Sequence, residues 1–146
     1  MIYTETTKKA MIISFRAHKD QKDKSGLPYV FHPFHLAEQM DDEDSTVVAL
    51  LHDVVEDTDW TLEELRVMGF SDEVLEALRL MTHEDDVPYM DYVRKIKSNP
   101  LATKVKLADL AHNSDTTRLN HAPTDADEER VAKYAKAVEI LRGSAE

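Results

Sequence analysis

The chain has 146 residues, 42% hydrophobic and 32% charged, with a formal net charge of −11 and no cysteine. That length supports one compact domain over residues 1–146 and leaves little room for a second. No run reaches the roughly 18 apolar residues of a membrane span, the start MIYTETTKKA has no signal-peptide apolar stretch, and a disulfide framework, a thiolate zinc site and a cysteine nucleophile are excluded.

The acidic balance weighs against broad electrostatic binding to nucleic acid or to anionic membrane. It leaves room for a small phosphorylated substrate, because a bound cation and a few lysines can reverse the sign of a pocket. A reducing, cytoplasmic setting is the expectation.

Only 3 Gly and 5 Pro punctuate the chain, and no run alternates apolar and polar residues between turn signals. A first helix is expected from about Thr4 to Lys22, with Met11, Ile12, Phe15 and Ala17 on or near its buried stripe. Gly26 and Pro28 break the chain in KDKSGLPYVFHP, and Pro33 suits the first turn of a short helix reaching Met40. After the acidic loop DDED, Ser45 is the expected N-cap of the apolar helix TVVALLHDVVED. Thr61 and Glu64 have capping-box spacing in TLEEL, a helix that Gly69 ends. Ser71 caps SDEVLEALRLMT and Pro88 opens PYMDYVRKIKS, while Asn99-Pro100 closes that helix and starts PLATKVKLADLAHN. The last helix runs from about Asp125 to Arg142, capped by Thr124 and stopped by Gly143. The sum is an all-α bundle of about six to eight helices, without repeats or a linker that would divide two domains.

Three segments could do chemistry. In LLHDVVEDT, helical spacing puts His52 beside Glu56 and Asp53 beside Asp57. Ionisable groups at the end of a buried apolar run are expensive unless paired, and a metal ion neutralises several at once. The alternative is an exposed helix end with solvated charges. In KVKLADLAHNSDTTRL, Asp109, His112, Asn113 and Thr116 recur at helical spacing, which also describes an ordinary polar face. In RAHKDQKDKSGLPYVFHP, the segment contributes His18, His32 and a Lys24-Ser25-Gly26 loop that could receive an anion. Imidazoles and carboxylates without thiolate suit Mn²⁺, Fe²⁺ or Zn²⁺ better than Ca²⁺, in a catalytic site with open positions.

The ordered set His32, His52-Asp53, Asp109 resembles the signature of HD-domain metal-dependent phosphohydrolases. RAHKDQKDKSGLPYVFHP, ALLHDVVEDT and VKLADLAHN together resemble the hydrolase domain of RelA/SpoT-type alarmone enzymes and their small stand-alone relatives, from about Arg16 to Leu119. The resemblance implies a helical HD fold that removes the 3′-pyrophosphate from (p)ppGpp, the alarmone of the stringent response, giving GDP or GTP. It implies that His32, His52, Asp53 and Asp109 hold one Mn²⁺, that Glu56 and Asp57 position or activate the attacking water, and that Lys24 and Ser25 contact the base. It places Asn113 and Thr116 at sugar or phosphate, and His18 near the site without a ligand role.

Two positions differ from the family pattern. Asp23 stands where the loop usually has arginine, and Leu110 follows KLAD where arginine is usual. An arginine can stack on a purine and attract phosphate, and an aspartate does neither. Another nucleotide or a phosphomonoester is therefore an alternative substrate, and a non-catalytic metal- or nucleotide-binding module is a third reading. The chain is too short for a synthetase domain, so any activity is expected to be degradative.

Overall fold

The computed structural model describes residues 1–143. Its helices are α1 (Glu5–His18), α2 (Phe31–Glu38), α3 (Glu43–Leu51), α4 (Val54–Asp57), α5 (Leu62–Val67), α6 (Asp72–Met81), α7 (Tyr89–Lys97), α8 (Pro100–Asn113) and α9 (Asp125–Leu141), with one 3₁₀ turn at Thr116–Arg118. Among the described residues there is no β-strand, and no helix is long and apolar enough to cross a membrane. The all-α expectation holds; among the described residues the α-helical segments number nine, or eight if α3 and α4 are taken as one interrupted helix.

Helix α3 organises the bundle. All of its residues from Ser45 to Leu51 are buried, as expected of a helix apolar on every side, and it packs against α1, α2, α6 and α8. Helices α6 and α7 bury one face each, through Val74, Leu75, Leu78 and Met81 and through Tyr92, Val93 and Ile96. Helix α9 lies across α7 and α8.

The caps at Thr61, Ser71 and Thr124 form as expected, Asn99 caps the helix that Asn99-Pro100 was expected to start, and Gly69 and Gly143 take the positive φ that ends a helix. Other boundaries move. Helix α1 stops at His18 instead of Lys22, because Lys22 forms an isolated antiparallel bridge with Pro28. Helix α2 begins at Phe31, two residues before Pro33. Asp42 displaces Ser45 as the N-cap of α3: its carboxylate accepts from the Ser45 N–H at 2.8 Å, and Glu43 and Asp44 of DDED thereby enter the first turn. On α1 the buried face is Thr7, Ala10, Ile13, Ser14 and His18, whereas Ile12 and Phe15, expected near the buried stripe, are exposed. Small residues on that face suit close approach to α3, so size outweighs hydrophobicity there.

Candidate active site

The site begins where α3 ends. After the buried run closing at Leu51, the α-helical hydrogen-bond pattern is interrupted at His52 and Asp53 and resumes at Val54, although both backbones stay in the right-handed helical region, so the expected single helix is broken into two at its candidate ligands. His52 is 2% exposed. Its Nδ1 donates to the Ala49 carbonyl at 2.7 Å, which leaves the Nε2 lone pair free to face the site. Nε2 lies 2.9 Å from Asp53 Oδ2 and 3.5 Å from Asp109 Oδ1, yet it makes no hydrogen bond of normal geometry.

Helix α2 brings His32, with Nε2 2.9 Å from Asp109 Oδ1 and 3.9 Å from Asp53 Oδ2. On its other edge, His32 Nδ1 donates to His112 Nδ1 at 2.7 Å. Burial, with Arg118 nearby, lowers the His112 pKa to about 4, so its neutral ring can accept. His112 meets His32 edge to edge in nearly one plane, ring centroids 5.0 Å apart, and stacks on His35 at 4.1 Å.

His32, His52 and Asp109 are all buried and offer ligand atoms within 4.8 Å of one another; Asp53, Glu56 and Asp57 form a second such group. The carboxylates of buried Asp109 and half-buried Asp53 converge on His52 Nε2, a buried nitrogen without a hydrogen-bond partner, an arrangement of acceptors and a lone pair that is costly without a cation. A divalent cation answers both, and the oxygen and nitrogen donors suit it. Burial pushes the Asp109 carboxyl up, but Lys106 and the two imidazoles outweigh it and hold the group well below its usual range. Lys106 Nζ is 2.9 Å from Asp109 Oδ2, Asn113 donates to Asp109 Oδ1 at 3.0 Å, and the Tyr29 hydroxyl donates to Asp53 Oδ2.

Glu56 and Asp57 stand at the solvent side of α4. Glu56 Oε1 accepts the His83 backbone N–H at 2.6 Å. Burial and the Asp53 charge raise Asp57 to about 6, and burial raises Glu56 as well.

Two adjoining cavities share Tyr29, Asn113 and Tyr134. The acidic chamber, about 510 Å³, is lined by Asp53, Glu56, Asp57, Lys106 and Asp109. The loop chamber, about 300 Å³, is lined by Lys24, Ser25, Thr116, Arg118 and Arg130. All four of Lys24, Ser25, Asn113 and Thr116 therefore face one cavity, although Thr116 sits in the 3₁₀ turn and not on the helix that carries Asp109 and Asn113. Asp23 shapes the loop: Oδ1 accepts from the N–H groups of Ser25 and Leu27 at 2.9 and 3.0 Å, and Oδ2 lies 3.6 Å from Arg118. His18 lies beside Tyr29, with ring centroids 5.1 Å apart, and hydrogen-bonds Gln21.

Sequence reasoning did not single out Tyr29, Lys106, Arg118, Arg130 or Tyr134. A lysine three residues before Asp109 and an Arg-Tyr pair four residues apart on α9 are weak signals without the fold.

No protein-family model matches the chain. It is 36% identical to the guanosine-3′,5′-bis(diphosphate) 3′-pyrophosphohydrolase MESH1 of Mus musculus, over 88% of this chain and 80% of that protein. Against MESH1 of Homo sapiens the figures are 35%, 88% and 78%. It is also 37% identical to the GTP pyrophosphokinase of Streptomyces coelicolor, over 75% of this chain but 14% of that enzyme. A solved structure described as a metazoan ortholog of SpoT that hydrolyses ppGpp superposes with a TM-score of 0.77 and 25% identity, over 99% of this chain and 90% of that one.

The fold is that of an all-α hydrolase of the HD class. Within that class, the chain belongs to the MESH1-type guanosine-3′,5′-bis(diphosphate) 3′-pyrophosphohydrolase family. It is an enzyme.

Proposed function

We propose that this chain, a single HD-type domain, hydrolyses the 3′-pyrophosphate of (p)ppGpp to give GDP or GTP and pyrophosphate, with one Mn²⁺ held by His32, His52, Asp53 and Asp109. The observation that carries the reading is the buried His-Asp group with Glu56 and Asp57 against it, opening onto a cavity lined by Lys24 and Ser25. The relatives' activity toward ppGpp supports the substrate, and the absence of thiolate in the donor set supports the metal. Such an ion supplies Lewis acidity, acidifying water and stabilising charge on a phosphoryl oxygen.

The chain's own groups do the rest. Lys24 and Ser25 receive the base, and Asn113 and Thr116 the sugar or phosphate, which fixes the scissile phosphorus beside Asp53 and Asp109. Glu56, anchored through Oε1 by the His83 N–H, and Asp57, titrating near 6, orient a water and accept its proton. The water oxygen bonds to the phosphorus attached to O3′, the P–O3′ bond breaks, and the departing oxygen takes up a proton to become the 3′-hydroxyl.

A second reading, another nucleotide as substrate, is favoured by Asp23, whose carboxylate is committed to its own loop and to Arg118. The test is chromatography of products from metal-supplemented protein with ppGpp, GTP, NADPH, deoxynucleotides and 5′-monophosphates. Stoichiometric GDP and pyrophosphate from ppGpp is expected. Inertness toward ppGpp with turnover of another nucleotide would replace the substrate.

A further inference from the structure

The acidic chamber holds two groups that the mechanism above does not use. Tyr89, the first residue of α7, lines it with a hydroxyl oxygen that is shielded from solvent and has no hydrogen-bond partner. Lys106 is the one lysine or arginine among the described residues lining that chamber. Its ammonium is buried, 2.9 Å from Asp109 Oδ2 and 5.3 Å from the Tyr92 ring centroid.

The neighbouring polar groups are committed elsewhere. The Tyr29 hydroxyl donates to Asp53, the Tyr92 hydroxyl to the Met81 carbonyl at 2.6 Å, and the Asn113 amide to Asp109 at 3.0 Å. Lys133 Nζ lies over the Tyr89 ring, 4.2 Å from its centroid, and adds positive potential behind the hydroxyl. Burial raises the Tyr89 pKa to about 12, so at neutral pH the hydroxyl carries a proton it can donate. A buried donor left unpaired is costly. Its natural partner is an oxygen that arrives with a ligand.

The ligand's sign follows from what surrounds it. Asp53, Glu56, Asp57, Asp85 and Asp109 face the chamber, and with Asp53 and Asp109 committed to a cation, Lys106 and the Tyr89 hydroxyl are a donor pair beside the reacting phosphorus. We propose that Tyr89 and Lys106 form an anion subsite that receives the outgoing pyrophosphate, holding phosphoryl oxygens beyond the scissile bond. This rests on the reading that the group cleaved from O3′ and transferred to water is pyrophosphate. It assigns recognition of the nucleoside to one chamber and of the pyrophosphate product to the other.

The experiment uses inorganic pyrophosphate as the probe, bound to the metal-loaded protein at matched free metal and followed by calorimetry without turnover. Tyr89→Phe keeps the ring and removes one oxygen, so it is expected to weaken pyrophosphate binding about tenfold, the scale of one hydrogen bond to a charged group. Metal affinity should be unchanged and Tm not lowered, because the lost hydroxyl had no partner in the free protein. Lys106→Met should weaken pyrophosphate at least as much. Pyrophosphate affinity equal to wild type in Tyr89→Phe overturns the subsite, as does a fall in Tm that would mark the hydroxyl as structural. A protein that hydrolyses a nucleotide other than ppGpp, yet loses pyrophosphate affinity in Tyr89→Phe, supports the subsite while replacing the substrate reading.

Discussion

The acidic chamber and the loop chamber meet at Tyr29, Asn113 and Tyr134 but are built from different kinds of chain. The first draws on groups fixed by packed helices: Asp53 at the end of α3 and Lys106 and Asp109 on α8, backed by buried His52, while His32 from α2 joins the His-Asp cluster from the loop-chamber side. The second draws on the loop after α1, which carries exposed Lys24, and on the 3₁₀ turn that carries Thr116 and Arg118. A buried charge that loses its partner destabilises the whole site, whereas a loop side chain can be exchanged at little cost to the fold. Asp23 spends its carboxylate on the loop backbone and on Arg118, so Arg118 of the 3₁₀ turn joins Lys22, Lys24 and Arg130 as a cation at that wall.

The comparison breaks most visibly at Asp53. Asp53→Ala removes a proposed ligand and the acceptor of Tyr29, and is expected to abolish metal retention and turnover together. The loss should exceed the tenfold to hundredfold typical of groups that only orient ligands. Elemental analysis beside a rate assay checks it, and full metal occupancy would contradict the ligand assignment.

His112 sharpens the same side of the comparison. It touches no reacting group but accepts from His32, so His112→Phe should lower metal affinity about tenfold to hundredfold while leaving the KM for nucleotide at saturating metal unchanged. Metal titration by calorimetry reads the effect, and unaltered affinity would make the imidazole stack a packing feature.

In the loop chamber, Lys24→Ala is expected to raise KM about tenfold, as for loss of a hydrogen bond to a charged group, with metal content unaltered. A KM equal to wild type on the best substrate would make Lys24 a solvated loop lysine.

The smallest effect is expected away from both chambers. The Ser45 backbone and hydroxyl, with Lys104 beside it, hold the Asp42 carboxyl down at about 2. Because its folded pKa is depressed, the ionised cap stabilises the protein above the ordinary carboxylate pKa of about 4, and that contribution fades as pH falls from about 4 toward 2. Asp42→Ala should cost about 1 kcal/mol at neutral pH, read by denaturant unfolding, with kcat and KM unaltered. No loss of stability would remove the cap's role.

Much of this was legible in the sequence because it is local. Caps at Thr61, Ser71, Asn99 and Thr124 are written in side chains that bond within three residues, and the order His32, His52-Asp53, Asp109 survives folding as one cluster. What was hidden depends on distant partners. The break at His52-Asp53 cannot be seen in a run whose spacing reads as one helix. Ser45 looks like a cap until Asp42 is found accepting its N–H. Ile12 and Phe15 are apolar but exposed, because the face that meets α3 is lined mainly by small residues. Lys106 reads as a helix-surface lysine until α7 places Tyr92 against it, and Arg130 is brought to the loop chamber only by the return of α9.

The central claim is that the two chambers divide chemistry from recognition, and Glu56→Gln tests it most directly. The substitution keeps the side chain's shape and its acceptor for the His83 N–H, and removes the base. Measured as the dissociation constant for ppGpp on the metal-loaded variant, with turnover followed in the same samples, binding should stay within about threefold of wild type. Turnover should fall about a hundredfold to ten-thousandfold. Wild-type turnover, or loss of ppGpp binding together with turnover, would contradict the account.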